Sequence, residues 1–326
     1  MAHKTLIQAI NEALHMEMKR DDRVMIMGED VGANGGVFRA TEGIYNEFGA
    51  ERAVDTPLAE AGIIGTAIGM AAYGLRPVPE IQFDGFMLPA FDQFVSHAAR
   101  LRWRSRGRFT CPLTVRVPYG GGIRALEHHS EAPETYYVHT PGFKVVLPSN
   151  PYDAKGLLLA SIRDPDPVIY FEPKRLYRAF RQEVPEEDYE VPIGKASVTK
   201  EGSDVTVISW GTMVRISQEA VERAEEEKGI SAELIDLRTL WPLDIETVIA
   251  SVKKTGRCVI VHEAPRTVGL GAEIISLINE KALLYLEAPA VRVAGFDVAM
   301  PLYRMENYYM PNASRVLQGI LKAVQF

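Results

Sequence analysis

Cysteine is scarce in this sequence of 326 residues, which contains only Cys111 and Cys258, far apart along the chain. Two distant cysteines provide neither a disulfide framework nor a cysteine zinc site, and they fit a reducing compartment. The sequence also lacks an apolar run long enough to span a membrane, and its first residues lack the apolar core of a signal peptide. We therefore expect a cytoplasmic protein.

Positive charge is in deficit, with 36 Lys and Arg residues against 43 Asp and Glu residues and a net charge of −7. This balance argues against nucleic acid or an anionic membrane as the main partner. The local exception is a run of arginines, which favours either a solvated helix face or a contact with an acidic partner subunit. Its members are Arg100, Arg102, Arg104, Arg106 and Arg108.

The chain is longer than one hydrophobic core ordinarily supports, and short apolar runs alternate with helical patterns along it. The first half predicts strands at VMIMG (24–28), PVPEIQF (77–83), LTVRVP (113–118), KVVLP (144–148) and PVIYFE (167–172), with helices near 60–73, 90–105 and 151–164. The second half predicts strands at DVTVISWG (204–211), AELIDL (232–237), RCVIVHEA (257–264) and AVRVAGFD (290–297). This alternation predicts an α/β fold with two doubly wound domains, 1–185 and 186–326, connected through an acidic, proline-containing segment.

An N-terminal amphipathic helix is also predicted, with a capping box formed by Thr5 and Gln8. In a parallel sheet, ligands bind beyond the carboxyl ends of the strands. Glu29, Gln82 and the loop over residues 119–131 follow predicted strands, so we expect a site near them.

The segment DTPLAEAGIIGTAIGMAAYG (55–74) is the most informative stretch. On a helix, its small residues share one face about 100° wide. These residues are Ala61, Gly62, Gly65, Gly69 and Ala72. Interior glycines weaken a helix, so the face predicts close approach, either by packing inside the subunit or across a subunit interface. Glu60 begins this helix, either as a first-turn carboxylate or as a desolvated acid with a raised pKa.

Several long blocks in one order resemble the β subunits of pyruvate and branched-chain 2-oxo acid dehydrogenases. In the first half they are MGEDVGANGGVFRATEGIYNEFG (27–49), DTPLAEAGIIG (55–65), PEIQFDGFMLPAFDQ (79–93), HHSEAPE (128–134), PGFKVVLPSNPYDAKGLL (141–158) and FEPKRLYR (171–178). In the second half they are VISWGTMV (207–214), LIDLRTLWPLD (234–244) and KTGRCVIVHEAP (254–265). The resemblance implies a transketolase-like pyrimidine-binding domain at the N-terminus and a transketolase-like domain at the C-terminus.

In that family, thiamine diphosphate becomes reactive only when a carboxylic acid protonates its pyrimidine ring nitrogen, away from water. The resemblance assigns this acid to Glu60, and it assigns the pyrimidine pocket to Leu58, Gln82 and Phe86. Glu29 counts among the cofactor-binding residues.

The resemblance further places Glu29 and Asp92 along a polar passage between paired active sites; ordinary surface carboxylates are the alternative. His129 corresponds to the active-site histidine, which stabilises negative charge and assists acyl transfer to lipoamide. The preceding residue, His128, is given no role.

Two ions and a second chain complete the expectation. A potassium ion held by backbone oxygens maps to Leu113, Thr114, Ser161, Asp164 and Asp166. Thiamine enzymes bind the diphosphate through magnesium, using a Gly-Asp-Gly segment that this sequence lacks. The run Gly120-Gly121-Gly122 forms either an anion cradle or a flexible loop. The resemblance therefore implies an α subunit that supplies magnesium in an α2β2 heterotetramer.

The motifs favour a branched-chain substrate, with pyruvate and acetoin dehydrogenases as alternatives. The C-terminal half shows no evident catalytic set. We expect it to serve dimerisation and docking of the lipoyl acyltransferase, near the carboxylate of Phe326. A purely structural scaffold is the rival function, and Glu60 and His129 argue against it.

Overall fold

The computed structural model describes residues 2–326, which divide into two compact units. The first unit comprises residues 2–119 and 136–193, and the second comprises 120–135 and 194–326. The sequence analysis set the boundary between residues 185 and 186, whereas the structure sets it after residue 193. Residues 120–135 belong to the second unit because the backbone N–H groups of Gly121 and Gly122 donate to Glu263 and Glu306.

The first unit contains eight strands among the described residues. They are β1 (Ala2–Lys4), β2 (Val24–Gly28), β3 (Ala53–Asp55), β4 (Arg76–Glu80), β5 (Thr114–Tyr119), β6 (Lys144–Val146), β7 (Val168–Pro173) and β8 (Gln182–Val184). Six of them form a parallel arrangement in the order β6-β7-β5-β4-β2-β3. The other two, β1 and β8, pair antiparallel. The predicted strands are all present, at slightly different limits.

The helices of this unit are α1 (Leu6–Arg20), α2 (Ile44–Phe48), α3 (Glu60–Tyr73), α4 (Leu101–Arg104) and α6 (Pro151–Arg163). A short helix, α5 (Glu134–Val138), spans the point where the chain returns to the first unit. The capping box of α1 is confirmed, with the backbone N–H of Thr5 donating to Gln8 Oε1 at 3.0 Å. Helix α3 has the limits predicted for it.

The predicted helix over residues 90–105 is wrong. The chain instead forms 3-10 turns at Asp84–Ala90 and Ala98–Arg100 on either side of a π-helical turn at Gln93–His97. Pro89 cannot donate a helical hydrogen bond. The irregular turns bury Phe94 completely, edge-on to the ring of Tyr137 at 5.4 Å.

The second unit contains β9 (Ser197–Lys200), β10 (Val205–Ser209), β11 (Ala232–Asp236), β12 (Thr239–Trp241), β13 (Cys258–Pro265) and β14 (Val291–Gly295). Its helices are α7 (Thr212–Lys228), α8 (Ile245–Thr255), α9 (Leu270–Ala282), α10 (Glu306–Tyr309) and α11 (Ala313–Val324). Five strands form a sheet in the order β14-β13-β10-β11-β9, parallel except for the edge strand β9.

Burial along the strands explains the architecture. Every residue of β5, β7, β10 and β11 is buried, as in a parallel sheet covered on both faces. The predicted α/β fold with two parallel-sheet units is confirmed. Within residues 2–326, no helix combines the length and the apolar character needed to cross a membrane.

Candidate active site

The register of three neighbouring strands gathers several predicted site residues at one edge of the first sheet. Gly28, the last residue of β2, pairs with Asp55 at the end of β3 and with Glu80 at the end of β4. The segments leaving this edge carry Glu29, Glu60 and Gln82. The three side chains therefore follow the carboxyl ends of adjacent strands, where parallel sheets bind ligands.

Glu60 lies in the first turn of α3, as predicted, and is half-buried. Within residues 2–326, its side chain makes no hydrogen bond and no ion pair. Burial first, and then the charges of Asp30 and Glu60, raise the pKa of Glu29. The carboxyl groups of Glu29 and Glu60 therefore interact electrostatically. Two carboxyl groups with no cation of their own thus share this edge.

Apolar groups flank the two carboxyl groups. Leu58, two residues before Glu60, leaves 64% of its surface exposed. Phe86 lies on the 3-10 turn that follows Gln82, and its ring meets Phe83 edge-on at 5.9 Å. Nearby, the Oγ1 atom of Thr56 is buried without a hydrogen-bond partner among the described residues. An exposed apolar side chain, an orphaned hydroxyl and uncompensated carboxyl groups fit a ligand that has both apolar and polar parts.

The small-residue face of α3 is largely open within this chain. A Cβ atom built on Gly69 meets no atom within 4 Å, and one on Gly62 meets only Ala59. Gly65 alone faces another segment, with Gln93 Oε1 at 3.3 Å from such an atom. Packing inside the subunit, one of the two alternatives for this face, therefore accounts for Gly65 but not for Gly62 or Gly69.

A buried charge network beneath this edge was missed by the sequence analysis. Arg116 on β5 donates to Glu80 Oε2 at 2.8 Å and to both oxygens of Glu172, at 2.7 and 3.1 Å. The Tyr177 hydroxyl donates to Glu172 at 2.6 Å. Burial raises the pKa of Glu80, although Arg116 opposes this shift. The signal was available, because Glu80 and Arg116 each lie inside a predicted apolar strand and Glu172 ends another.

A second buried ion pair holds the segment that carries Phe86. The Lys174 ammonium donates to Asp84, and both side chains are inaccessible to solvent. Asp84 also accepts a hydrogen bond from the backbone N–H of Gly85 at 2.9 Å. The 3-10 turn at Asp84–Ala90 is therefore fixed at its start by a desolvated cation.

His129 lies in the second unit, on the loop over residues 120–135. The Nδ1 atom of His129 lies 2.7 Å from the carbonyl oxygen of Glu127, and its backbone N–H donates to Leu126. The preceding residue, His128, has a left-handed backbone with φ of 64° and is exposed, while His129 is half-buried. The two histidines thus have different surroundings.

The residues expected to bind potassium come from two neighbouring segments. The backbone N–H of Cys111 donates to the carbonyl of Pro165 at 3.1 Å, which brings residues 111–114 close to 161–166. Cations already occupy the carboxylates there, since Lys144 pairs with Asp164 at 2.5 Å and Arg102 with Asp166 at 2.6 Å. The potassium ion is expected to use backbone oxygens, and its site stays a prediction.

The arginine run is exposed at all five positions, which fits both a solvated surface and a contact with an acidic partner subunit. Asp92 is also exposed, between the 3-10 turn and the π-helical turn. Its assignment to a polar passage stays a prediction. No group of three or more His, Cys, Asp or Glu side chains suited to a metal ion occurs in the described part of the chain.

Comparison with known proteins yields two family matches that follow the two units. Residues 3–179 match the transketolase pyrimidine-binding domain, and residues 194–316 match the transketolase C-terminal domain. Among solved structures, a split-gene transketolase described as an inactive β4 tetramer covers 99% of both chains with a TM-score of 0.80. The sequence identity to it is 22%, so this likeness concerns the fold.

Curated relatives are much closer in sequence. The pyruvate dehydrogenase E1 component subunit beta of Acholeplasma laidlawii is 55% identical over 99% of this chain and 98% of its own length. The protein of the same name from Bacillus subtilis strain 168 is 51% identical over the full length of both chains. A third relative of that name, from Staphylococcus epidermidis, is 52% identical, also over both full lengths.

Proposed function

The chain belongs to the family of β subunits of thiamine-diphosphate-dependent 2-oxo acid dehydrogenases, and from this premise we propose that it forms, with an α subunit, the component that decarboxylates pyruvate. The observation that carries the proposal is the sheet edge at Glu29, Glu60 and Gln82. Each side chain there is half-buried and has no hydrogen-bond partner within residues 2–326. Polar groups left in this way are satisfied by water in the free chain and are available to a ligand or to a second chain.

Glu60 is the proposed cofactor-activating acid. When bound, thiamine diphosphate supplies the nucleophilic carbon that attacks the keto group of the substrate and accepts the electrons released by decarboxylation. Glu60 would hold a proton for the pyrimidine nitrogen, with Leu58 and Phe86 excluding water from that proton. Glu29 and Gln82 would complete the polar part of the pocket. His129 would stabilise negative charge and assist acyl transfer to lipoamide.

An α subunit is proposed to supply the diphosphate and magnesium sites. The absence of a Gly-Asp-Gly segment from the sequence supports this, and so does the open face at Gly62 and Gly69. An α2β2 heterotetramer would cover that face and complete the active site. The second unit would serve dimerisation and docking of the lipoyl acyltransferase, for which Phe326, 81% exposed, is a candidate contact.

We propose pyruvate as the substrate, in place of the branched-chain 2-oxo acid that the motifs favour. The three relatives described above are all named as pyruvate dehydrogenase subunits, and the branched-chain preference is not confirmed. Acetoin dehydrogenase, the other alternative, has no specific observation in its favour.

The test is co-expression with an α-type subunit, followed by assays on pyruvate, 3-methyl-2-oxobutanoate and acetoin. We expect turnover of pyruvate at least about tenfold above the other two, which corresponds to about 1.4 kcal/mol of discrimination. Neither chain alone should be active. Thiamine-dependent turnover by this chain alone would refute the two-chain site, and a preference for 3-methyl-2-oxobutanoate would restore the branched-chain assignment.

A further inference from the structure

The loop that carries His129 is closed at its base by contacts within the second unit. The backbone N–H of Gly120 donates to the carbonyl oxygen of Glu131 at 3.0 Å, so the two ends of the 12-residue segment 120–131 meet. This closure makes the segment an Ω-loop. His129 lies two residues before the closing hydrogen bond, so its position depends on how firmly the base of this loop is held.

Two buried carboxylates hold the glycine run at the start of the loop. Glu263 on β13 accepts from the N–H of Gly121, and Glu306 on α10 accepts from the N–H of Gly122. The side chains of both glutamates lie in the interior, with 3% and 2% of the residue surface exposed. The glycine run is therefore held by two carboxyl groups of the same chain.

Glycine is required at position 120, the first residue of the glycine run. Gly120 has a left-handed backbone with φ of 82°, and a Cβ atom there would lie 2.9 Å from Glu263 Oε1. A side chain would therefore collide with the acid that anchors the next residue. The left-handed backbone of Gly120 thus leaves the space that the Glu263 carboxyl group occupies.

From this arrangement we propose that Glu306 and Glu263 are positioning residues for His129 in acyl transfer. The proposal rests on the proposed function, in which His129 stabilises negative charge and assists transfer to lipoamide. It gives the C-terminal half of the chain, which has no evident catalytic set in its sequence, an indirect part in the reaction, through the position of His129. An error of about 1 Å in the position of a catalytic group can lower the rate up to about a hundredfold.

The experiment uses the α2β2 enzyme carrying Glu306→Ala, Glu306→Gln or His129→Ala, or both alanines together. Glu306→Ala should lower acyl transfer about tenfold or more, by loosening the loop. Glu306→Gln should recover most of that loss, because the amide oxygen still accepts from Gly122. Adding Glu306→Ala to His129→Ala should cost less than about twofold, since residues that act through each other are not additive. Glu226→Ala, an exposed glutamate on α7 with no ion pair among the described residues, is the matched control.

Amide hydrogen exchange over residues 121–130 supplies a readout independent of activity. Faster exchange in Glu306→Ala, but not in Glu306→Gln or Glu226→Ala, is expected. Unchanged exchange together with unchanged transfer would overturn the proposal. So would a double variant in which Glu306→Ala lowers acyl transfer as much as it does in the presence of His129. Normal transfer by His129→Ala would instead refute the role of the histidine in the proposed function, and the positioning role would fail with it.

Discussion

Two sets of glutamates in the first unit have opposite surroundings. Glu29 and Glu60 leave the carboxyl edge of the sheet without a cation, whereas Glu80 and Glu172 share Arg116 in the interior. The pairing of Glu80 and Glu172 with Arg116 serves the fold, because a buried carboxylate without a partner is costly. The unpaired state of Glu29 and Glu60 does nothing for the fold. Carboxyl groups left half-buried and unpaired are the ones expected to serve a ligand or a second chain.

Removing Arg116 should have the largest effect on stability. Arg116→Met leaves Glu80 and Glu172 buried without their shared cation, which should cost about 3–5 kcal/mol of unfolding free energy. Denaturant titration of the purified chain measures this. Arg181→Met, a substitution at an exposed arginine, is the control and should change the value by less than about 1 kcal/mol. An equal change in unfolding free energy for the two variants would mean that Arg116 does not stabilise Glu80 and Glu172. The two sets of glutamates would then not differ in the way described.

Lys174→Met should rank second, at about 3 kcal/mol, because it leaves the Asp84 carboxylate in the interior without its ammonium partner. The same change should loosen the 3-10 turn that carries Phe86. The measurements are the unfolding free energy and hydrogen exchange over residues 84–90. A stable variant with unchanged exchange would show that this pair does not hold the turn.

Acid should weaken the second unit through His262. Burial lowers the pKa of His262 to about 4, and its ring stacks on Trp210 with centroids 5.4 Å apart. Because the pKa is lower in the folded than in the unfolded state, this stabilising term is complete above about pH 6.5. It is lost as the pH falls toward 4. Between pH 7 and 4.5 the loss should be about 2–3 kcal/mol.

His262→Asn removes this titration while keeping a side-chain donor of similar reach. Denaturant titrations at both pH values should show that the variant loses about 2–3 kcal/mol less than the native chain between them. Parallel losses in the two proteins would mean that other groups account for the acid sensitivity.

The smallest stability effect is expected at Gly69 on the open face of α3. Nothing lies within 4 Å of a Cβ atom there, so Gly69→Ala should stabilise the isolated chain by up to about 1 kcal/mol. The same methyl group should weaken assembly if an α subunit covers this face. Thermal unfolding of the chain and titration with the α subunit separate the two effects. Unchanged binding would place the interface elsewhere.

Much of the fold was readable from the sequence, because apolar runs and glycine-ended helices have a local signal. Helix α3 begins at Glu60 and ends before Gly74, as its pattern predicts. The segment after Pro89 was not readable, since its π-helical turn is fixed by packing of Phe94 against distant aromatic rings.

The candidate site likewise contains residues that the sequence predicts and contacts that it does not. Glu29 and Gln82 could be predicted because they follow predicted strand ends, whereas Glu60 was assigned through the resemblance of its segment to one family. The contacts of Arg116, and those of Glu306 with the loop of His129, join residues between 36 and 184 positions apart. Strand periodicity does not specify such pairs. A charged residue inside an apolar run was the only available sign, and it does not name its partner.

The central claim is that unpaired carboxylates at the sheet edge serve catalysis while paired ones serve folding. The direct test compares Glu60→Gln with Glu172→Gln, measuring pyruvate turnover with the α subunit and unfolding free energy of each chain. Glu51→Gln, at an exposed position, is the control. Glu60→Gln should lose at least about a hundredfold in turnover with stability unchanged, whereas Glu172→Gln should lose about 2–4 kcal/mol. Near-normal turnover by Glu60→Gln, or a stability loss equal to that of Glu172→Gln, would contradict the claim.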